Sequence, residues 1–290
     1  MPDSAILIPS ILNGLTMGAL YALIALGLTL IYGVLHIINF AHGALLMVGL
    51  YAAYFLNARF GIDPYVALLI VPPLMFALGY ALQRGIIGRA SHGRDENILL
   101  ATLGLAIVIE NLALYFFRSD TRTIDVPYAF ETVSVLGAFI PLPKVVAFFG
   151  ALVTAAFLWL FMSRTATGRA IRAISKERKG AELVGIDTEH IYGLSFGLGI
   201  ACLGVAACLL LPTYYVTPQV GEGFILIAFT IVVLGGMGSF IGALLGGLII
   251  GVVEAVSGLY LGESLGQIGI FVIFILVLLF RPTGLLGHKV

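Results

Sequence analysis

Residues 13–54 read NGLTMGALYALIALGLTLIYGVLHIINFAHGALLMVGLYAAY, a stretch without a single Asp, Glu, Lys or Arg. A helix needs about 20 apolar residues to cross a bilayer core, so this stretch has room for two crossings. Outward from it the pattern repeats. Apolar runs at 6–30, 38–56, 64–83, 97–117, 144–162, 191–211, 224–258 and 264–280 predict an all-α, polytopic membrane helix bundle of about eight hydrophobic segments. The run 224–258 is too long for one simple helix. Gly235, Gly236, Met237, Gly238 and Ser239 interrupt it, which predicts either two helices or a re-entrant hairpin, or else marks a plain glycine packing seam.

Composition points the same way. The chain is 60% hydrophobic and 10% charged, with a mean hydropathy of +1.11, whereas soluble domains carry about 25% charged residues. Its 36 glycines suit close helix–helix approach in lipid. A formal charge of zero points to no nucleic-acid partner. Cys202 and Cys208 share one apolar run and read as packing residues, not as a disulfide framework. The opening MPDSAILIPS lacks the basic residues of a cleavable signal, so the first apolar run is expected to remain as a membrane helix. No polar stretch is long enough for a soluble domain, and residues 1–290 read as one transmembrane domain.

Basic residues orient the chain. The loop 84–96 carries Arg84, Arg89 and Arg94, the loop 163–190 carries Arg164, Arg169, Arg172, Lys176, Arg178 and Lys179, and the tail carries Arg281 and Lys289. Placing these in the cytoplasm puts the N-terminus outside and the C-terminus inside. Arg59, Arg118, Arg122 and Lys144 then fall outside, in loops that also hold Asp63, Asp120, Asp125 and Glu131. A cytoplasmic C-terminus requires an odd number of crossings from 224 onward.

The longest basic loop, SRTATGRAIRAISKERKGAELVGIDTEH, reads as two short amphipathic helices whose small apolar faces include Ile171, Ile174, Ala181, Leu183 and Val184. Gly168 is expected to end the preceding helix, Gly185 to make a left-handed turn, and Asp187 or Thr188 to cap the next helix. Such a segment either lies on the inner leaflet or docks a partner protein. The string GRAIRAIS…AELVGID, together with residues 13–54 and GGMGSFIGALLGGLIIGVVEA (Gly235–Ala255), closely resembles the LivH-type branched-chain amino acid ABC transporter permeases. Residues 118–143 share nothing identifiable with that family.

The resemblance implies a permease subunit in the bacterial inner membrane. Its implied partners are a second, homologous permease in a heterodimer, two ABC ATPase subunits, and an extracytoplasmic substrate-binding protein. It makes 163–190 the coupling loop, with Arg169, Arg172, Ser175, Glu177, Ala181, Glu182, Gly185 and Asp187 as the ATPase-coupling residues. The sequence contains no G-x-x-x-x-G-K-[ST] string, so any ATP would be bound by partner subunits and no cofactor of its own is expected.

Polar residues inside apolar runs are expensive and face the bundle or a cavity. Glu110, Asn111 and Glu254 read either as pathway contacts or as hydrogen-bonded structural groups. The same two readings apply to Asn39, His42 and Gly43 in NFAHG, and to the broken element Gly235, Gly236 and Gly238. Asn13 and Thr16 add polar groups to the first span. His36, His42, His92, His190 and His288 show no metal-ligand spacing, and no catalytic carboxylate pair occurs, which speaks against an enzyme. An ATP-independent secondary transporter is the competing class, but such carriers hold several ionisable residues at mid-membrane and here only two carboxylates qualify. Relatives of the family suggest branched-chain amino acids as substrate. Urea, short amides or, less readily, a sugar are the alternatives.

Overall fold

The computed structural model describes residues 4–90, 95–135, 137–262, 265–281 and 283–286. His92, Arg94, His288 and Lys289 lie outside the described residues.

The apolar runs become helices with moved boundaries. The first is α1 (Ser4–Leu35), followed by α2 (His42–Phe60) and α3 (Pro64–Ala67). Then come α4 (Val71–Leu82), a π-turn at Gln83–Ile87, α5 (Gly88–Ala90) and α6 (Asp95–Phe117). After a loop follow α7 (Leu142–Arg164), α8 (Ala166–Lys176), α9 (Arg178–Leu183) and α10 (Thr188–Leu210). The chain closes with α11 (Val220–Gly235), α12 (Phe240–Leu261) and α13 (Gly266–Phe280). Among the described residues, seven helical stretches are long and apolar enough to span a membrane. α11 and α13, of 16 and 15 residues, are shorter. The run expected at 64–83 breaks after Ala67, where Pro72 and Pro73 at the start of α4 supply no amide hydrogen to the preceding turn.

The long run 224–258 is two helices, one of the readings its glycines allowed, with α11 ending at Gly235 and Ser239 capping α12 through the Gly242 amide at 3.1 Å. The helix bundle stands, and residues 118–143, to which the sequence assigned no element, add a small antiparallel hairpin, Thr132–Val135 (β1) with Ala138–Pro141 (β2). Alternating β-branched and aromatic residues favour strand there, and Ala138 and Ile140 are buried while Phe139 is exposed.

α1 is the axis of the bundle. Along one side it meets α12 antiparallel through glycines. A Cβ on Gly14 would lie 2.7 Å from the Gly251 carbonyl oxygen, and one on Gly247 would lie 2.5 Å from the Ala22 Cα. The two glycine-spaced stretches 13–33 and 242–258 are therefore partners across a seam, not copies of each other.

The copies are elsewhere. α1 packs on α12 as α10 packs on α4, and α2 packs on α10 as α11 packs on α1. Gly27 meets the Gly199 carbonyl and Gly199 meets the Gly27 carbonyl, while Gly43 and Gly221 meet in the same reciprocal way. The runs α1-α2-α4 and α10-α11-α12 are thus related by an approximate two-fold axis through these two contacts, the inverted arrangement common in transporters. α2 and α11 both begin part-way along the bundle, since His42 lies beside Ile24 and Gly27, well before the end of α1.

Candidate functional site

At one end of the bundle, α8 and α9 form a hairpin between α7 and α10. Thr165 stops α7 and starts α8. Its hydroxyl oxygen accepts from the Gly168 amide at 3.0 Å, and its hydroxyl donates to the Phe161 carbonyl at 2.8 Å. Gly168 therefore lies inside α8 and does not end α7; a side chain there would strike the Met162 carbonyl. α8 buries Ile171 and Ile174 and leaves Arg169 and Arg172 exposed. Glu177 caps α9 by accepting from the Lys179 amide at 3.2 Å.

Glu182 braces the hairpin internally. It accepts from Arg178 Nε at 3.0 Å and from the Thr188 hydroxyl at 3.2 Å, joining α9 to the start of α10. The Arg178 guanidinium holds the Glu182 carboxyl below the ordinary carboxylate range, with Thr188 adding to the effect. Arg178 also lies 5.5 Å over the Tyr192 ring. Gly185 adopts φ +84°, the left-handed turn expected of it, and its amide donates to the Glu182 carbonyl at 3.0 Å. Asp187, not Thr188, caps α10 through the His190 amide at 3.0 Å.

The bracing leaves an apolar tip in the open. Of the apolar face read from the sequence, Ala181 is buried, while Leu183 is 89% exposed and Val184 77%. The six-residue α9 ends at Leu183, and the Gly185 turn carries the backbone away before the two side chains reach the bundle.

Three cavities accompany these elements. One of about 420 Å³ lies under α8, lined by Thr29, Trp159, Arg172, Ser175, Gly238 and Ser239 among others. A neighbour of about 360 Å³ borders His36, Ser175, Glu177, Arg178 and Tyr192. The third, about 970 Å³, opens at the opposite end between α1 and α12. It is lined by Asn13, Tyr21, Tyr214, Tyr215 and Glu254, with glycines between them.

The residues singled out from the sequence divide among these places. Arg172, Ser175 and Gly238 reach the cavities beside α8, and Glu254 and Asn13 reach the opposite one. Gly235 is buried against the backbone of Gly242, and Gly236 takes φ +98°, so this element is both a break and a packing seam. Asn39 and His42 are fully buried and border none of the three cavities. His42 Nε2 pairs with the Ile24 carbonyl at 2.9 Å, and Asn39 Oδ1 accepts from the Ala41 amide at 3.1 Å. Gly43 is closed by Gly221. Asn111 is exposed on α6, its amide donating to the Ile107 carbonyl at 2.8 Å. Glu110, half-buried beside it, lies within electrostatic reach of Glu222 on α11. Lys144, whose Nζ donates to Asn13 Oδ1 at 3.2 Å, was missed, as were Tyr21 and the Tyr214–Tyr215 pair. Among the described residues, no cluster of three His, Cys, Asp or Glu could hold a metal ion.

The family model described as "Branched-chain amino acid transport system / permease component" matches residues 10–280. The high-affinity branched-chain amino acid transport system permease protein BraD of Pseudomonas aeruginosa is 36% identical over 307 aligned positions, covering 99% of this chain and 98% of that protein. LivH of Escherichia coli, a permease protein of the same description, is 34% identical, covering 95% and 94%. A probable LivH of Methanocaldococcus jannaschii is 29% identical, covering 92% and 89%. No solved structure matches the chain.

Proposed function

Because the chain belongs to the family of branched-chain amino acid permease components, we propose that it is the membrane-spanning subunit of an ATP-driven, binding-protein-dependent importer of branched-chain amino acids. Residues 1–290 serve as one permease domain in the bacterial inner membrane, with the N-terminus outside and the α8–α9 end in the cytoplasm. A second permease pairs with it, two ATPase subunits dock below, and an extracytoplasmic binding protein delivers substrate above.

The observation that carries this reading is the exposed Leu183–Val184 tip on a hairpin braced by Glu182 and Gly185. Two adjacent large apolar side chains held out among charged residues suit burial against a partner protein. Arg169, Arg172, Ser175, Glu177 and Asp187 surround it or shape it, and Ala181 anchors it to the bundle. ATP-driven closure of the partner pair pushes this hairpin and biases the bundle between inward-open and outward-open arrangements. The pathway in this reading runs past the break at Gly235, Gly236 and Gly238 and past Glu254, with Glu110 and Asn111 on the face toward the second permease. Asn39, His42 and Gly43 set the position from which α2 starts.

The test is uptake of radiolabelled leucine into proteoliposomes. Uptake is expected only when this chain, the second permease, the ATPases, ATP and the binding protein are all present, with unlabelled isoleucine and valine competing and urea not. Uptake by this chain alone down an ion gradient overturns the proposal. Uptake of urea in preference to leucine overturns the substrate class.

A further inference from the structure

The 970 Å³ cavity at the end away from α8 has a chemical asymmetry that a simple passage does not need. Among the described residues Glu254 is the one carboxylate lining it, and it faces the Tyr21 phenol. Tyr214 and Tyr215 stack at 4.6 Å on the wall, so three tyrosine rings share the cavity with the acid. The opposite character lies behind Asn13: Lys144, itself outside the lining residues, donates to Asn13 Oδ1 at 3.2 Å, while the Asn13 amide donates to the Pro9 carbonyl at 3.2 Å and keeps a second N–H. Gly14 lies against Gly251 and Ala255, which sets Asn13 and Glu254 at the same level of the α1–α12 seam. Met17 and Leu259 supply apolar wall between them.

An α-amino acid presents an ammonium and a carboxylate on adjacent atoms plus an aliphatic side chain. A carboxylate among tyrosines suits the first, an amide backed by an ammonium the second, and apolar walls the third. We infer that this cavity is a binding site for a zwitterionic aliphatic amino acid. Glu254 and the tyrosines hold the ammonium, Asn13, positioned and polarised by the Lys144 ammonium behind it, holds the carboxylate, and Met17 and Leu259 meet the side chain. The inference rests on the amino-acid importer reading and adds a site on the permease itself, before the translocation step. Such a site accepts only molecules bearing both charges.

The test uses the full chain in nanodiscs and photo-leucine, a diazirine analogue of leucine, at millimolar concentration, with labelled peptides located by mass spectrometry. Label is expected on peptides containing Met17 or Leu259. L-leucine is expected to compete it away, and 4-methylpentanoate, which lacks the ammonium, is not. Glu254→Gln is expected to lower labelling by about tenfold, the worth of one charge-assisted contact, and Lys144→Met to do the same. Competition by 4-methylpentanoate equal to that by leucine overturns the site using the unaltered protein alone, so misfolding of a variant cannot mask the result. Absence of label at these peptides also overturns it. If the assembled importer takes up leucine while these peptides stay unlabelled, the zwitterion site alone fails. If the importer takes up no amino acid, the functional reading fails.

Discussion

Truncating the exposed tip should weaken ATPase docking without touching the fold. Leu183→Ala removes three carbon groups and Val184→Ala two, each worth about 0.8 kcal/mol when buried. Scaled by exposures of 89% and 77%, complete burial under a partner is worth about 3 kcal/mol. Incomplete coverage reduces this toward about 2 kcal/mol, so the double variant should bind the ATPase roughly 30- to 160-fold more weakly. Neither side chain packs in the free chain, so its thermal stability should shift by no more than a surface substitution does, within about 0.5 kcal/mol. The assay is biolayer interferometry of the nanodisc-embedded chain against the purified ATPase subunit. Phe139→Ala serves as control, because this residue is equally open, at 74%, but lies on the hairpin at the far end of α7. An affinity change under about threefold for the tip variant, or an equal loss for the control, refutes the reasoning.

Gly185→Ala forces an L-residue into φ +84°, which costs about 1–2 kcal/mol, and amide exchange across 178–187 should quicken about tenfold at constant pH. Glu182 is held charged below the ordinary carboxylate range, so its bracing is complete above that range and lost as the pH falls through and beneath it. A fluorophore on Leu183→Cys, read by anisotropy, should stay ordered from neutral to mildly acidic pH and loosen below about pH 4, whereas adding Glu182→Gln should loosen it at every pH. Native Cys202 and Cys208 are buried, so the added thiol reports alone. The same Leu183→Cys should react with a membrane-impermeant maleimide in inside-out vesicles and not in right-side-out ones, and Phe139→Cys the reverse; any other pattern sinks the proposed orientation. Gly247→Leu places a Cβ 2.5 Å from the Ala22 backbone, an overpacking worth about 3 kcal/mol or more, and should abolish monodisperse protein in detergent chromatography.

Local features were legible in the sequence because their causes are local. Gly185 needed only its own backbone freedom to announce a left-handed turn, and Asp187 only its short carboxylate to announce a cap. Glycines at 235–238 likewise marked a break inside an apolar run. What stayed hidden depends on residues far apart in the chain. The Glu254 cavity exists because α12 folds back on α1, some 240 positions earlier, and brings Asn13 and Tyr21 beside the acid. The internal symmetry hid for a related reason: its marks are paired contacts, Gly27 with Gly199 and Gly43 with Gly221, and no single stretch displays them. The sequence grouped Leu183 and Val184 with Ala181 on one small apolar face, and only the completed turn shows that Ala181 goes inward while the other two stand out.

The route from tip to cavity follows from which contacts can yield. α8 seats Ile171 and Ile174 on the ends of α1 and α10, while α9 is tied to α10 through Glu182–Thr188 and Arg178–Tyr192. A push on the tip is therefore delivered to α10 and the end of α1 together. α10 meets α1 where Gly27 and Gly199 put backbone directly on backbone, with no side chain between them to rearrange. Close-packed contacts of this kind transmit displacement and do not absorb it. α1 in turn lies on α12 through Gly14, Gly18, Gly247 and Gly251, and that seam is the wall on which Asn13 and Glu254 stand. In the proposed cycle a shear of α1 against α12 by a fraction of a helical turn slides Asn13 past Glu254 and parts the two groups that a bound zwitterion bridges. In the proposed importer, docking at the cytoplasmic end and loosening of substrate from the outer cavity are then one motion, carried rigidly from α10 to α1 and let out as sliding along α12.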